Sequence, residues 1–149
     1  MKMLILAVDT AFGQESCAIL RYGEVISYSQ GKGDSLQAEK LFDNITAALA
    51  DAKVSFDNID YFVADIGPGS FTGIRIGVSA VMGLASAQNK KFLWVSSLEA
   101  LAYKINVANI TSVSVAINAG REKPIIVSLN LKVSYSRLLS PLNLCIQIE

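Results

Sequence analysis

One segment constrains the fold of this chain more than any other, because a buried strand, a glycine-proline turn and a nearly uncharged helix follow one another directly. The strand is predicted over residues 59–66, and the turn begins at Gly67-Pro68-Gly69. The helix is predicted over residues 73–87, where Arg75 is the only charged residue. α/β proteins use this succession to place backbone N–H groups beside an anion. The segment therefore predicts an α/β fold with a candidate anion site.

The residues around this segment supply the other elements of such a fold. Helical spacing predicts a first helix over residues 35–53, and Ser96 with Glu99 predicts the start of a third. The order βββαβαβα indicates a mixed sheet with helices packed against it. Apolar runs predict the strands, over residues 3–9, 15–21, 24–29, 59–66 and 91–95.

The chain changes in character near residue 106. We predict one complete lobe over residues 1–106 and a partial second lobe, mainly strands, over residues 107–149. The second region carries two predicted strands, over residues 110–117 and 124–131, and too little else for a full domain.

Composition excludes several classes of function. Thirteen basic residues balance thirteen acidic ones, so no net field draws the chain to nucleic acid. The chain has no histidine, which excludes Ser-His-Asp and Cys-His catalysis and histidine-bound zinc. No catalytic residue, metal ligand or cofactor is predicted. The first apolar run ends at Asp9, too early for a membrane span, and two cysteines without metal-ligand spacing fit a cytoplasmic protein. Cys17 and Trp94 are interpreted as core residues.

Two interpretations of the glycine-rich turn are open. In the first, the turn cradles a phosphate, with Ser70 and Thr72 as additional donors. At the end of the first strand, Asp9 would then hold Mg²⁺ through water and the Thr10 hydroxyl would face the phosphate. In the second, it is a tight connection in which Ser70 or Thr72 caps the helix. The motif contains no lysine to neutralise a phosphate, unlike a Walker loop. The candidate nucleotide-binding residues, interpreted as vestigial, are Asp9, Thr10, Gly67, Gly69, Ser70 and Thr72.

The helix after the turn predicts a contact with another chain. Its apolar residues spread around the whole circumference, so we expect one side to pack on the sheet and the other on a second helix or chain. Small residues recur every three or four positions and allow close backbone approach. A chain of this length has little left to cover the second side, which favours an intermolecular interface. Its predicted members on this helix are Gly73, Ile74, Gly77, Val78, Ala80, Val81 and Leu84.

Three segments together resemble one family. They are Met3-Leu4-Ile5-Leu6-Ala7-Val8-Asp9-Thr10-Ala11, the block Asp65-Ile66-Gly67-Pro68-Gly69-Ser70-Phe71-Thr72-Gly73-Ile74-Arg75-Ile76-Gly77, and Val95-Ser96-Ser97-Leu98-Glu99. The chain resembles the TsaB family of bacterial threonylcarbamoyladenosine biosynthesis subunits, over about the first two-thirds of its length.

This resemblance implies a lobe of the actin-like or Hsp70-like ATPase fold, which is ribonuclease H-like, without catalytic competence of its own. Family members serve as a scaffold for the catalytic paralogue TsaD, which with TsaE transfers a threonylcarbamoyl group to the adenosine beside the anticodon. Transfer RNA is then met only through the complex. The family dimerises, with itself or with TsaD, through helices of the first lobe. On the first helix the matching interface residues are Leu41, Ile45 and Leu49.

One alternative function stays open, and the sequence differs from the family pattern in two places. The alternative is an ATP-binding phosphotransferase or hydrolase of the same fold. Asp34-Ser35 stands where the family often has a histidine, and only the first strands of the second lobe have counterparts here. In that lobe, Asn118-Ala119-Gly120-Arg121 loosely matches the region where the family tends to have an aspartate and an arginine. A metalloprotease is disfavoured because nothing in the sequence would hold a zinc ion.

Overall fold

The computed structural model describes residues 3–31, 38–104, 113–117, 125–129 and 146–147. The chain divides into two compact units, Met1–Val95 and Ser96–Glu149. The predicted boundary after residue 106 lies outside the described residues. The strands are β1 (Leu4–Asp9), β2 (Ser16–Arg21), β3 (Glu24–Gln30), β4 (Tyr61–Asp65), β5 (Lys91–Val95), β6 (Val113–Ile117), β7 (Ile125–Leu129) and β8 (Ile146–Gln147). The helices are α1 (Ala38–Ala52), α2 (Phe71–Ala87) and α3 (Ser97–Ala102), with a short 3-10 helix at Phe56–Asn58.

The first unit is built on a five-stranded mixed sheet in the order β3-β2-β1-β4-β5. β1 is the central strand: it runs antiparallel to β2 and parallel to β4, and β4 runs parallel to β5. The predicted mixed sheet is therefore confirmed. Because Val8 pairs with Ala64, the next residues, Asp9 and Asp65, end neighbouring parallel strands at the same edge of the sheet.

The core of this unit lies between one face of the sheet and helices α1 and α2. Alternate residues of β1 point into it, which gives the strand its buried and half-buried pattern. The apolar stripe of α1 covers the β2–β3 side of that face, and α2 covers the β4 side. The buried cluster contains Leu4, Leu6, Val8, Cys17, Ile19, Leu41, Ile45, Ala48, Leu49, Ile59, Phe62, Ala64, Val81 and Ala85.

The second unit contains α3 and a three-stranded sheet. Ser96 caps α3 by accepting the Leu98 amide at 3.3 Å, as the sequence predicts. The helix buries Leu98 and Leu101 and contacts β6 and β7. β6 is the middle strand and pairs antiparallel with both β7 and β8.

The structure tests the burial predicted for two side chains, Cys17 and Trp94. Cys17 is a buried core residue, as predicted. The prediction for Trp94 is wrong: its side chain is 64% exposed, because it lies near the end of edge strand β5 and only the small Ala64 is paired beside it. Residues 32–37 and 118–121, which include predicted loop and family positions, lie outside the described residues.

Candidate functional site

The glycine-rich turn connects β4 to α2 and is fastened to the end of β1. The amide of Gly67 donates to Asp65 Oδ1 at 2.7 Å, and the amide of Ser70 donates to the carbonyl oxygen of Ala11 at 2.7 Å. Ser70 also caps α2, because its Oγ accepts the amide of Gly73 at 3.2 Å. The helix therefore begins at residue 71, two residues before the predicted start.

Three glycines make room for the two residues that follow β1. Thr10 is buried, and its Oγ1 donates to the carbonyl oxygen of Gly73 at 2.7 Å. A Cβ atom on Gly73 would overlap the Thr10 carbonyl oxygen, and one on Gly77 would overlap Thr10 Oγ1. A Cβ atom on Gly69 would likewise overlap the carbonyl oxygen of Ala11. The glycines therefore form a socket on α2 and its preceding turn, into which the Thr10-Ala11 turn packs.

Two carboxyl groups meet at this edge of the sheet. Asp9 Oδ1 accepts the Ala11 amide at 2.8 Å, and the side chains of Asp9 and Asp65 hydrogen-bond to each other. Burial, together with the negative charge of Asp65, raises the pKa of Asp9 from 3.8 to about 6, although the Ala11 hydrogen bond acts in the opposite direction. The Asp9 carboxyl group therefore keeps its proton to a higher pH than an ordinary aspartate, because its pKa is raised.

The predicted nucleotide-binding residues come together here, but many of their polar groups are engaged within the chain. The Thr10 hydroxyl and the amides of Gly67 and Ser70 all donate to protein oxygens. Two carboxyl groups stand beside them and repel an anion whenever they are ionised. Gly69 and Thr72 are exposed. The packing interpretation of the turn accounts for these contacts, and binding of a nucleotide stays a prediction.

The predicted interface residues divide into two groups. Six are buried in the core of the first unit and pack within it, so the interface prediction is corrected for them: Leu41, Ile45, Leu49, Gly73, Gly77 and Val81. The other four are half-buried residues of α2 and stay interface predictions: Ile74, Val78, Ala80 and Leu84. The socket for Thr10 explains the correction, since close backbone approach by Gly73 and Gly77 occurs inside the chain.

α2 has an open face, which the apolar pattern of the helix did not distinguish from its buried face. Met82 is 51% exposed on it, and a Cβ atom on Gly83 would meet nothing within 4 Å. At one end, the guanidinium of Arg75 lies over the ring of Phe71, 4.3 Å from its centroid. The full open face consists of Phe71, Thr72, Arg75, Ser79, Met82, Gly83 and Ser86.

Asp65 and Ala11 were not among the residues predicted for this site. Asp65 ends a strand in the same way as Asp9, and a parallel pairing of the two strands would have indicated that the carboxyl groups meet. Ala11 takes part through its own backbone groups, because its amide donates to Asp9 Oδ1 and its carbonyl oxygen accepts the Ser70 amide. Within the described ranges, no helix is long and apolar enough to cross a membrane. Within the same ranges, no three histidine, cysteine or acidic side chains group as metal ligands.

Comparison with known proteins decides the family. The model of the TsaD family, described as tRNA N6-adenosine threonylcarbamoyltransferase, matches residues 36–137. The chain belongs to this family. The TsaB proteins of Buchnera aphidicola (subsp. Schizaphis graminum) and Bacillus subtilis, both named as tRNA threonylcarbamoyladenosine biosynthesis proteins, are 28% and 36% identical to it. Their alignments cover 89% and 67% of this chain but 58% and 44% of the relatives.

A solved structure agrees with this assignment to the TsaD family. YeaZ from Pseudomonas aeruginosa superposes with a TM-score of 0.75 at 30% sequence identity, over 87% of this chain and 61% of that one. The chain is a TsaB-type member with a lobe of the actin-like, ribonuclease H-like fold, as the resemblance implied. It spans about half the length of the curated relatives it matches.

Proposed function

We propose that this chain is a non-catalytic dimerisation and scaffold subunit in tRNA threonylcarbamoyladenosine biosynthesis, and that it binds a TsaD-type catalytic subunit. The relatives named for this pathway support the role. In this proposal a TsaE-type ATPase joins the assembly, the adenosine next to the anticodon is the modified base, and tRNA is contacted through the complex. A homodimer of the chain alone and a cytoplasmic location are further parts of the proposal.

The open face of α2 is the observation that carries this proposal. Arg75 is the single charged residue among the 17 residues of the helix. On the open face the exposed Met82 lies next to the exposed Gly83. Glycine within a helix costs about 1 kcal/mol relative to alanine. Among the residues that the structure describes, Gly83 has no neighbour that would require a glycine, whereas a partner helix approaching closely at Ser79 and Gly83 would require one.

The arrangement of the turn supports a subunit without catalysis of its own. The Thr10 hydroxyl and the amides of Gly67 and Ser70 are directed to protein oxygens, and the chain has no histidine for general-base chemistry. The alternative is ATP binding by Asp9, Thr10 and the turn. Isothermal calorimetry with ATP and magnesium distinguishes the two. Binding at micromolar ATP by the isolated chain would favour the enzyme, whereas the absence of a heat signal at millimolar ATP would favour the scaffold.

Co-purification with a TsaD-type subunit tests the proposed interface. We expect Ser79→Arg to abolish co-purification, because it places a charged side chain on the centre of the open face without disturbing the core. Val25→Arg is the matched control, since it adds the same charge at an exposed position of edge strand β3. Retained binding by Ser79→Arg, or equal loss with both variants, would remove the α2 interface from the proposal.

Light scattering on the isolated chain gives a second reading. If α2 also forms a homodimer, Ser79→Arg shifts the mass from dimer to monomer while Val25→Arg does not. Gly77→Arg is unsuitable for either experiment, because Gly77 is buried against Thr10 and the larger side chain would disrupt the fold.

A further inference from the structure

Arg75 carries the one charge on the open face of α2. Its side chain is exposed, and its guanidinium carbon lies 4.3 Å from the centroid of the Phe71 ring. Side chains one helical turn away are the natural place for a counter-ion, but those around Arg75 are not acidic: Phe71, Thr72, Val78 and Ser79. Within the described part of the chain, Arg75 therefore has an aromatic ring as its partner and no carboxylate.

The contact with Phe71 leaves the hydrogen-bond donors of Arg75 free. A guanidinium that lies over a ring uses its flat face for that contact, while its N–H groups point outward in its own plane. The ring is itself 71% exposed, so both groups are at the surface. Because the ring restricts the long side chain, less of its freedom is lost when a second group binds. Phe71 thus presents the donors of Arg75 to a partner on the open face.

Burial of the open face would require a counter-ion for Arg75. A charge that is removed from water without a partner is costly. Arg75 lies one turn before Ser79 and about two turns before Gly83 on the same face, which is about 12 Å along the helix axis. A chain that packs closely at Gly83 and continues along α2 therefore covers Arg75 as well. The best group to meet a guanidinium is a carboxylate, which accepts two parallel N–H bonds.

We propose that Arg75 determines the specificity of the α2 interface by pairing with a carboxylate of the TsaD-type subunit, about two helical turns from the place where that subunit packs on Gly83. The proposal rests on the proposed function, because it takes this subunit as the occupant of the open face. A second copy of α2 is the poorer occupant. Since Arg75 is the single charged residue of the helix, α2 of a second copy has no carboxylate to offer.

The affinity of the full chain for the TsaD-type subunit, measured without tRNA, tests the pair. We expect Arg75→Gln to raise the Kd at least roughly ten-fold, because it leaves a buried carboxylate without its partner. Lys91→Gln is the matched control: it removes an exposed positive charge that also lies over a ring, 6.0 Å from the centroid of Tyr61, and should change the Kd less than about two-fold. Raising NaCl from about 0.05 M to about 0.5 M should weaken the natural chain more than Arg75→Gln.

Carbodiimide coupling identifies the carboxylate. Arg75→Lys keeps the positive charge and supplies an amine, which a carbodiimide joins as an amide to a carboxyl group in direct contact. We expect mass spectrometry to find a link from position 75 to an aspartate or glutamate of the TsaD-type subunit. A link only to a second copy of this chain, or no link within a complex that forms, would overturn the proposal.

Failure of this inference and failure of the proposed function give different results. If Ser79→Arg abolishes binding whereas Arg75→Gln binds like the natural chain, α2 is the interface and Arg75 does not determine its specificity. If the natural chain does not bind the TsaD-type subunit at all, the proposed function fails and the carboxylate pair fails with it. A loss with Arg75→Gln that occurs only when tRNA is present would assign Arg75 to a phosphate and would also overturn the proposal.

Discussion

The same substitution at two glycines of α2 should have opposite effects on stability. Gly77→Ala and Gly83→Ala both remove a helical glycine, which by propensity alone stabilises the fold by about 1 kcal/mol. At Gly83 the new methyl group meets no described atom within 4 Å, so the full gain of about 1 kcal/mol is expected in the monomeric chain. The two variants differ only in what surrounds the added carbon.

At Gly77 the added carbon enters the socket that holds Thr10. It would overlap Oγ1 and come within 3.4 Å of two further Thr10 carbons. Overpacking a buried site costs about 1–3 kcal/mol, and displacing the hydroxyl from Gly73 costs about 0.5–1.5 kcal/mol more. After subtracting the propensity gain, Gly77→Ala should lower the free energy of unfolding by about 2 kcal/mol, so the two variants should differ by about 3 kcal/mol.

Urea unfolding followed by circular dichroism measures both variants under identical conditions. The double variant Gly77→Ala with Thr10→Ala should recover part of the loss, because it removes the side chain that the methyl group meets. If Gly77→Ala is as stable as the natural chain, or if Gly83→Ala is destabilising, the packing account of the glycine-rich motif is refuted.

Three further predictions concern single contacts. The protonated form of Asp9 stabilises the fold fully below about pH 3.8 and loses this contribution as pH rises through about 6. Asp9→Asn should therefore gain up to about 3 kcal/mol over the natural chain at pH 8 and almost nothing at about pH 3, and an equal difference at both pH values in urea unfolding would contradict this. Ser70→Ala removes the cap of α2 and should lower stability by about 1 kcal/mol, read as a lower melting temperature, whereas an unchanged value would show that the cap is dispensable. Ile45→Ala, in the core, should cost about 2–5 kcal/mol in chemical unfolding and its exposed neighbour Thr46→Ala less than about 0.5, so similar losses would argue against the placement of α1.

The sequence predicts the elements of this fold well because their causes are local. Alternation in β1 and the capping residues Ser70 and Ser96 depend on neighbours within a few positions, and the structure contains each of them. The order of elements and the glycine-rich block were sufficient to indicate the family. These features follow from short-range chemistry that a single sequence carries.

The candidate site was harder to predict because its contacts join distant segments. An apolar helix with regular glycines fits a partner interface and an internal socket equally well, and only the position of Thr10 tells them apart. The pairing of Asp9 with Asp65 requires the register between two strands, which no local pattern encodes. Trp94 was misplaced for a related reason, since burial at the end of a strand depends on what lies beside the sheet.

The central position of β1 has a consequence for synthesis on the ribosome. Val8 pairs with Ala64, 56 positions later in the chain, so β1 has only β2 as a neighbour until β4 has emerged. At about 5–20 residues per second, the open edge of an apolar strand is exposed for roughly 3–11 seconds in each nascent chain. During that interval the strand is a template for pairing with other chains, and slower translation through residues 31–60 would lengthen the risk.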